Sequence, residues 1–416
     1  MTVTPFRRPT KWPATNRETG EIIHKAQRNV TFFLEQIECD LYTDAFASRL
    51  MISRDGITYT LDDAAMLRLY FEADAMGLRP PKAWFVDCIT NIANQDRRNA
   101  VRDEIDALVW DGVPRLDGWL VRHAQGRDTD YDRLAFTLCF VAMVRRIRNP
   151  GTKFDQIPVL EGPQGGGKST FLRILSRDDE LFTDALRIGA DDRETLEIAH
   201  GKLIVELGEL AGIGKRELAS VKAFASRQSD RARLAYGRFA VEVPRQFTVW
   251  GTTNDSEYLS DPTGNRRFWP LKVGRIDLTQ ARADCDQLWA EAAALEANGH
   301  PITLPERLWT TAAAVQHERL VSDTWEDAVA RKLDLFRNHT IKIRTGDVLL
   351  AIGVDLERQD RPAQMRAASV MQRLGFSRCK IGHTRTRGWV RGTTNSADIL
   401  VCNVKGGDFH VTGGEP

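Results

Sequence analysis

The sequence predicts an α/β protein with a P-loop core and a parallel sheet. Three observations predict it. Residues Gly162 to Ser169 fit G-x-x-x-x-G-K-[ST], and the apolar run Phe154 to Leu160 feeds into them. Two more short apolar runs follow, Lys202 to Glu206 and Phe247 to Trp250, each ending close to a polar residue. Helical patterns lie between the runs, which is how parallel strands are usually connected.

The glycine-rich loop carries the chemistry. Glycines let backbone N–H groups turn inward without a Cβ clash and cradle a polyphosphate. The expected cradle is Gly162, Pro163, Gln164, Gly165, Gly166, Gly167, Lys168, Ser169 and Thr170. Lys168 is expected to reach the β- and γ-phosphates, and Ser169 Oγ to hold Mg²⁺. The helix opening near Ser169 has Phe171, Leu172, Ile174 and Leu175 as its apolar face and aims its positive end at the phosphates. ATP and Mg²⁺ are therefore the expected cofactors.

Bulk composition sets limits. The chain has 416 residues, 42% of them hydrophobic, with 18 Phe and 10 Trp, enough for several packed cores. A net charge of only +1 means that any nucleic-acid surface must be local. No run of about 18 apolar residues occurs, and the N-terminus has no signal-peptide pattern. The six cysteines are scattered without a C-x-x-C pair, so neither a zinc ribbon nor a disulfide framework is indicated. A reduced, soluble, cytoplasmic protein without a membrane partner is the expectation.

In chain order, residues 1–26 are polar and read as a flexible arm. Residues 27–122 read as a mainly helical domain. Its helices follow from Phe32, Phe33, Leu34 and Ile37, from the cap at Thr60 ahead of Leu61 to Met76, and from Trp84, Val86, Ile89 and Ile92. A small hairpin is expected around Asp55-Gly56, and a further helix over Asn99 to Leu108.

Residues 123–275 form the expected ATPase core. A helix over 131–148 ends in Arg145, Arg146 and Arg148, where cations suit the helix dipole. Glu206 ends an apolar strand downstream of the loop, and Glu209 follows three residues later. That placement fits the metal and water-activating carboxylates, with Glu206 favoured for the metal and Glu209 for the water, or the reverse. An amphipathic helix over Lys215 to Arg227 precedes a hairpin over Ser229 to Pro244, turning at Tyr236-Gly237. Arg231, Arg233 and Arg238 on this hairpin, with Lys222 on the helix, are candidates for phosphate-backbone contact, or for ion pairs with Asp230 and Glu242. Asn254, at a strand tip, is placed to orient an attacking water, or else caps its own turn. Arg266 and Arg267 precede an apolar strand and suit a finger that neutralises a transferring phosphoryl group.

Residues 276–339 read as a helical extension and 340–416 as a small domain. Two helices, Thr345 to Ile352 and Pro362 to Leu374, lead to an alternating segment with Lys380, His383, Arg385, Arg387, Trp389 and Arg391. This order suggests a winged-helix module whose basic wing suits nucleic acid, or a solvated strand pair. The last residues, with two Gly-Gly pairs, read as frayed.

Five segments occur in one order: Leu160 to Thr170, Ile204 to Leu210, Arg233 to Arg238, Gly251 to Asn254 and Gly264 to Pro270. As a set they resemble the virulence-associated protein E family of phages, prophages and pathogenicity-island satellites. Trp110 to Leu116 and Asn149-Pro150-Gly151 resemble it too. That family is similar to superfamily 3 helicases. The resemblance implies a RecA-like core of the AAA+ kind, a hexameric ring, and replication of a mobile element on single-stranded or forked DNA with a separate primase or initiator. It assigns Lys168 and Ser169 to the first phosphate motif, and Glu206 and Glu209 to the second. Asn254 becomes the polar sensor, and Arg266 or Arg267 the finger reaching a neighbouring subunit's nucleotide. The region of Arg231, Arg233 and Arg238 becomes the DNA-tracking hairpin. Only about 120 residues precede the core, without an evident acidic primase triad, so primase activity is not implied here. The function implied is an ATP-dependent DNA helicase or translocase. Its rivals are a nucleotide-gated DNA-binding ATPase that does not unwind and a degenerate ATP-binding scaffold.

Overall fold

The computed structural model describes residues 9, 11–186, 192–210, 214–232, 241–260, 264–321, 323–336, 339–381, 386–392, 399–405 and 408–412. The chain divides into two compact units, residues 1–320 and 321–416.

The first unit opens with α1 (Gln27–Gln36), β1 (Asp40–Asp44), β2 (Arg49–Arg54), β3 (Ile57–Thr60), α2 (Asp63–Ala75), α3 (Lys82–Gln95), β4 (Arg97–Arg98) and α4 (Ala100–Ala107). The Asp62 side chain accepts the Ala65 N–H and starts α2. The strands form a sheet in the order β3-β2-β1-β4. The region therefore adds a four-stranded mixed sheet to the expected helices. The expected hairpin is β2–β3, but β1 has only two apolar residues and β4 only two residues in all, so neither shows a strand pattern. Residues 11–26 depart from the expected loose arm. Trp12 is buried edge-on against Phe32, and the buried Asn29 side chain both donates to and accepts from the Ala14 backbone.

The core continues with α5 (Trp119–Ala124), α6 (Asp130–Arg148), β5 (Ile157–Glu161), α7 (Lys168–Leu175), β6 (Phe182–Thr183), α8 (Asp192–Ala199), β7 (Ile204–Leu207) and α9 (Lys215–Ala225). Then come β8 (Ser229–Ala232), β9 (Val241–Pro244), β10 (Thr248–Thr253), β11 (Phe268–Lys272), α10 (Leu278–Ala297) and α11 (Trp309–His317). Five strands pair in the order β11-β5-β10-β7-β6, all parallel. Every residue of β5 and β10 is buried, as the continuous apolar runs require when both faces are covered. One face packs on α6, α7 and α10 through Phe140, Phe171, Leu288 and Trp289. The other packs on α9 through Leu218, Val221 and Ala225.

Arg146, in the last turn of α6 as expected, is also drawn into the core. It is 2% exposed and donates to the carbonyls of Thr152, Phe154 and Phe247, satisfying backbone acceptors that would otherwise be buried unpaired. No helix among the described residues is long and apolar enough to cross a membrane.

The second unit contains α12 (Thr324–Leu333), β12 (Thr340–Arg344), α13 (Thr345–Ala351), α14 (Arg361–Arg373), β13 (Ser377–Ile381), β14 (Thr386–Arg391), β15 (Ile399–Lys405) and β16 (Asp408–Thr412). Its sheet runs β13-β14-β12-β15-β16, and its core joins Val329, Ile341, Leu349, Met371, Trp389 and Phe409. The expected frayed tail is instead the antiparallel pair β15–β16, with Phe409 buried. The two Gly-Gly pairs, and His383 and Arg385, lie outside the described residues.

Candidate nucleotide site and basic hairpin

The carboxyl ends of β5, β7 and β10 meet at one edge of the parallel sheet, the edge where open α/β sheets place their ligands. The loop after β5 is braced from behind. Val273 N donates to Glu161 O at 2.7 Å, and Ile276 N to Gly166 O at 3.0 Å. A Cβ at Gly162 would sit 2.3 Å from the Val273 carbonyl oxygen, so only glycine lets these segments approach. Gly167, at φ +89°, turns the chain into α7 in a conformation that side chains resist. Pro163, Gln164 and Gly165 form the exposed crest, and Ser169 and Thr170 sit exposed in the first turn of α7.

Lys168 points under this crest and is 8% exposed. Its Nζ donates to Gly162 O at 2.8 Å, to Pro163 O at 2.9 Å and to Asn254 Oδ1 at 2.8 Å. Burial pushes its pKa below the usual lysine range, and nearby Glu206 partly offsets that. Ser169 Oγ donates to Glu206 Oε1 at 2.7 Å, and Thr252 Oγ1 donates to the same oxygen at 2.6 Å. Glu206 is 2% exposed, and its Oε2 is buried without a hydrogen-bond partner. A buried carboxylate oxygen left unsatisfied beside a serine hydroxyl fits a divalent cation.

Glu209 lies past the end of β7, exposed, at φ +51°. Glu206 is thus the carboxylate on the Ser169 side, and Glu209 the one displayed at the rim. Lys168, Ser169, Glu206 and Asn254 are brought together; Arg266 and Arg267 are not. Those two arginines lie on a short turn ahead of β11, whose first residue Phe268 is level with Ile157 at the start of β5. The five residues of β11, at about 3.3 Å each, put roughly 15 Å between that turn and the loop edge. Arg267 is held, its Nε donating to Ser226 Oγ at 2.9 Å and lying 3.9 Å from Asp155. Arg266 is exposed.

Lys222 does not join an exposed phosphate-binding surface. It is 7% exposed on α9, and a Cβ on Gly264 would sit 3.8 Å from its Nζ. The hairpin is the β8–β9 pair, with Arg231 exposed opposite Glu242. Arg233, Arg238 and the expected Tyr236-Gly237 turn lie outside the described residues. Asp230 pairs with Arg245, at 2.5 Å to Nε and 2.7 Å to Nη2.

Three features escaped the sequence reading. Glu161, at the end of β5, is buried in a two-pronged pair with Arg319 (2.9 and 2.8 Å) and accepts the Tyr258 hydroxyl at 2.8 Å. Arg245, with its side chain 1% exposed, lies against both Phe224 and Phe247, which stack on each other, and ties the hairpin root to the start of β10. Thr252 supports Glu206; its spacing of two from Asn254, just past the end of β10, was a signal.

A family profile described as Virulence-associated protein E-like domain matches residues 105–321. Among solved structures, the apo structure of the NrS-1 C-terminal region aligns with a TM-score of 0.48 at 12% identity, covering 87% of this chain and 98% of that chain. An A form apo structure of the same region aligns with a TM-score of 0.46 at 12% identity, with the same coverage. None of the curated proteins matches the chain.

Proposed function

Starting from a chain that belongs to the virulence-associated protein E-like family, we propose an ATP-driven DNA helicase or translocase that works as a ring of subunits in replication of a phage or mobile element. One observation carries the reading: Lys168, Ser169, Glu206 and Asn254 converge at one edge of the parallel sheet, while Arg266 stands exposed at the other. The parallel sheet with its phosphate loop supports a RecA-like core of the AAA+ kind. The helix–strand–helix–helix–hairpin order of the second unit supports a winged-helix module.

Ser169 and Glu206 would hold Mg²⁺, which when bound neutralises phosphate charge. The loop's backbone N–H groups and the start of α7 bind the phosphates. Lys168 exchanges its carbonyl partners for phosphate oxygens and so regains the charge that burial disfavours. Asn254, released from Lys168, orients the attacking water, and Glu209 at the rim takes its proton. Arg266 is too far from its own loop to act there, so it serves a neighbouring copy. Hydrolysis thereby depends on assembly, and arginine fingers of this kind supply about 10³–10⁵ in rate. Arg231 and its hairpin contact the DNA backbone, and Arg245 holds the hairpin's root against β10.

The test is ATP turnover with and without single-stranded DNA across protein concentration. The proposal expects turnover that rises with concentration, is stimulated by DNA, and loses that stimulation in Arg231→Ala. Turnover indifferent to both DNA and concentration would reject a ring motor and leave a scaffold. DNA stimulation without strand separation of a forked duplex would reduce it to a nucleotide-gated switch.

A further inference from the structure

The second unit carries a charge pattern that the hydrolysis site leaves unused. From Arg361 to Ala397 the sequence has eight lysines and arginines and no aspartate or glutamate, in a chain whose net charge is +1. The described part of this stretch forms α14, β13 and β14. Among the described residues four of its cations are engaged within the unit, Arg378 lying 5.7 Å over the Trp389 ring. Arg366 forks onto Asp323 at 2.7–3.1 Å and lies 4.1 Å over the Trp325 ring. Arg373 Nε meets Glu326 at 2.7 Å, and Arg391 donates to Phe336 O at 2.9 Å. Arg361, Arg378, Lys380 and Arg387 are exposed.

The register sharpens the pattern. Lys380 stands directly opposite Arg387 in the β13–β14 pair. Like charges in that position destabilise a strand pair, so their retention points to an anion that meets them. Arg378 stands opposite Trp389, and Lys380 is two residues further on, so these cations share the Trp389 side of the sheet. Trp389 belongs to the same buried cluster as Val370 and Met371 of α14, and its Nε1 donates to Thr345 Oγ1 of α13, so the Trp389 face of the hairpin and α14 border one core.

The outward stripe of α14 is equally informative. Ala367, Val370 and Met371 face the core. Arg361, Gln364 and Gln372 are exposed, Met365 is 65% exposed, and the short Ala368 and Ser369 are half-buried. Beside Arg366, which is paired with Asp323, this stripe offers amides, a hydroxyl and an apolar tip, the groups that read base edges and the thymine methyl in the major groove. The B-DNA major groove admits a helix, whereas the deep A-form groove of RNA does not admit side chains. We infer that the second unit is a duplex-DNA-binding site, with α14 in the major groove and Arg378, Lys380 and Arg387 on the flanking phosphates. This site is separate from the ATPase and does not rest on its activity.

The experiment is fluorescence anisotropy of the full chain, without nucleotide, over a range of salt. The probes are a mixed-sequence DNA duplex, its single strand and an RNA duplex. Wild type should bind the DNA duplex most tightly. Arg378→Ala/Lys380→Ala/Arg387→Ala should flatten the slope of log affinity against log salt by about three, near one per lost phosphate contact. Met365→Ala/Gln372→Ala should weaken duplex binding about tenfold while leaving the slope intact. Arg387→Gln alone, with a slope change near one, carries the test if the triple variant melts early. An unchanged slope in these hairpin variants, or a wild type that prefers single strand or RNA, would overturn the assignment. So would loss of duplex binding in Arg231→Ala, which would place the duplex on the other hairpin. Absence of DNA-stimulated turnover alongside a slope change of three would reject the motor and leave this site standing.

Discussion

The two edges of the five-stranded sheet hold their charged side chains in different ways. At the carboxyl edge, polar groups are packed together, Lys168 against Asn254, and Ser169 and Thr252 against Glu206, whose Oε2 is left without a partner. At the amino edge, the turn before β11 displays Arg266 to solvent while Arg267 is tied to Ser226. On the proposed reading the first edge is preorganised for phosphate and metal, and the second offers an outward cation. On the proposed reading neither edge is complete within one chain, and each is complementary to the opposite edge of another copy.

The largest expected effect breaks the comparison at the amino edge. Arg266→Ala should lower turnover by about 10³–10⁵ while nucleotide affinity, measured by titration, stays close to wild type. Arg267→Ala should lower turnover far less, because its guanidinium is held within its own chain. Equal losses in the two variants would erase the distinction drawn between them.

Next in size is a test of what stiffens the carboxyl edge. Glu161→Gln takes the buried countercharge from Arg319 and leaves it only the exposed Glu318, and breaking a buried pair costs about 3–5 kcal/mol. Thermal unfolding should show a clear drop in Tm. A Tm within a degree or two of wild type would mean that the pair adds nothing to the loop's support.

Lys168→Ala should cost about 10²–10³ in turnover, together with nucleotide affinity. Its depressed pKa adds a pH signature. The protonated amine binds phosphate, so affinity is full below that pKa and falls as pH rises through it, earlier than an ordinary lysine would allow. Titrations at successive alkaline pH values check this; affinity flat to the usual lysine range would contradict it.

The smallest effect lies away from both edges. Burial, and next Arg49, push His200 below the usual histidine range, and its Nε2 has no partner among the described residues. The folded state therefore resists protonation more than the unfolded chain. Stability is full above about pH 6.5 and declines as pH falls through that value, by ~1 kcal/mol or less. His200→Gln should flatten the dependence of Tm on pH in that window.

What the sequence disclosed follows the range of the interactions. The phosphate loop is a local motif, and its strand, glycines and helix all appear where the spacing puts them. The burial of β5, β7 and β10 was equally legible, because a strand covered on both faces is apolar throughout. Long-range pairing was not. Glu161 and Arg319 are 158 positions apart, and nothing at either position marks its partner. Arg146 reads as a helix-end cation and Lys222 as a surface one, yet carbonyl acceptors hold the first in the core and the 264 turn covers the second. The strands β1 and β4 were hidden by short length and polar composition, since their stability comes from the sheet they join. Arg266 and Arg267 looked alike as neighbours in sequence, and only tertiary contacts separate the tethered one from the exposed one.

Mixing two inactive proteins tests the central claim most directly. Lys168→Ala retains Arg266, and Arg266→Ala retains the phosphate loop. If the site is shared between copies, a mixture should regain ATP turnover well above either protein alone, rising with total concentration. A mixture no more active than the sum of its parts would contradict a shared site and place the whole reaction within one chain.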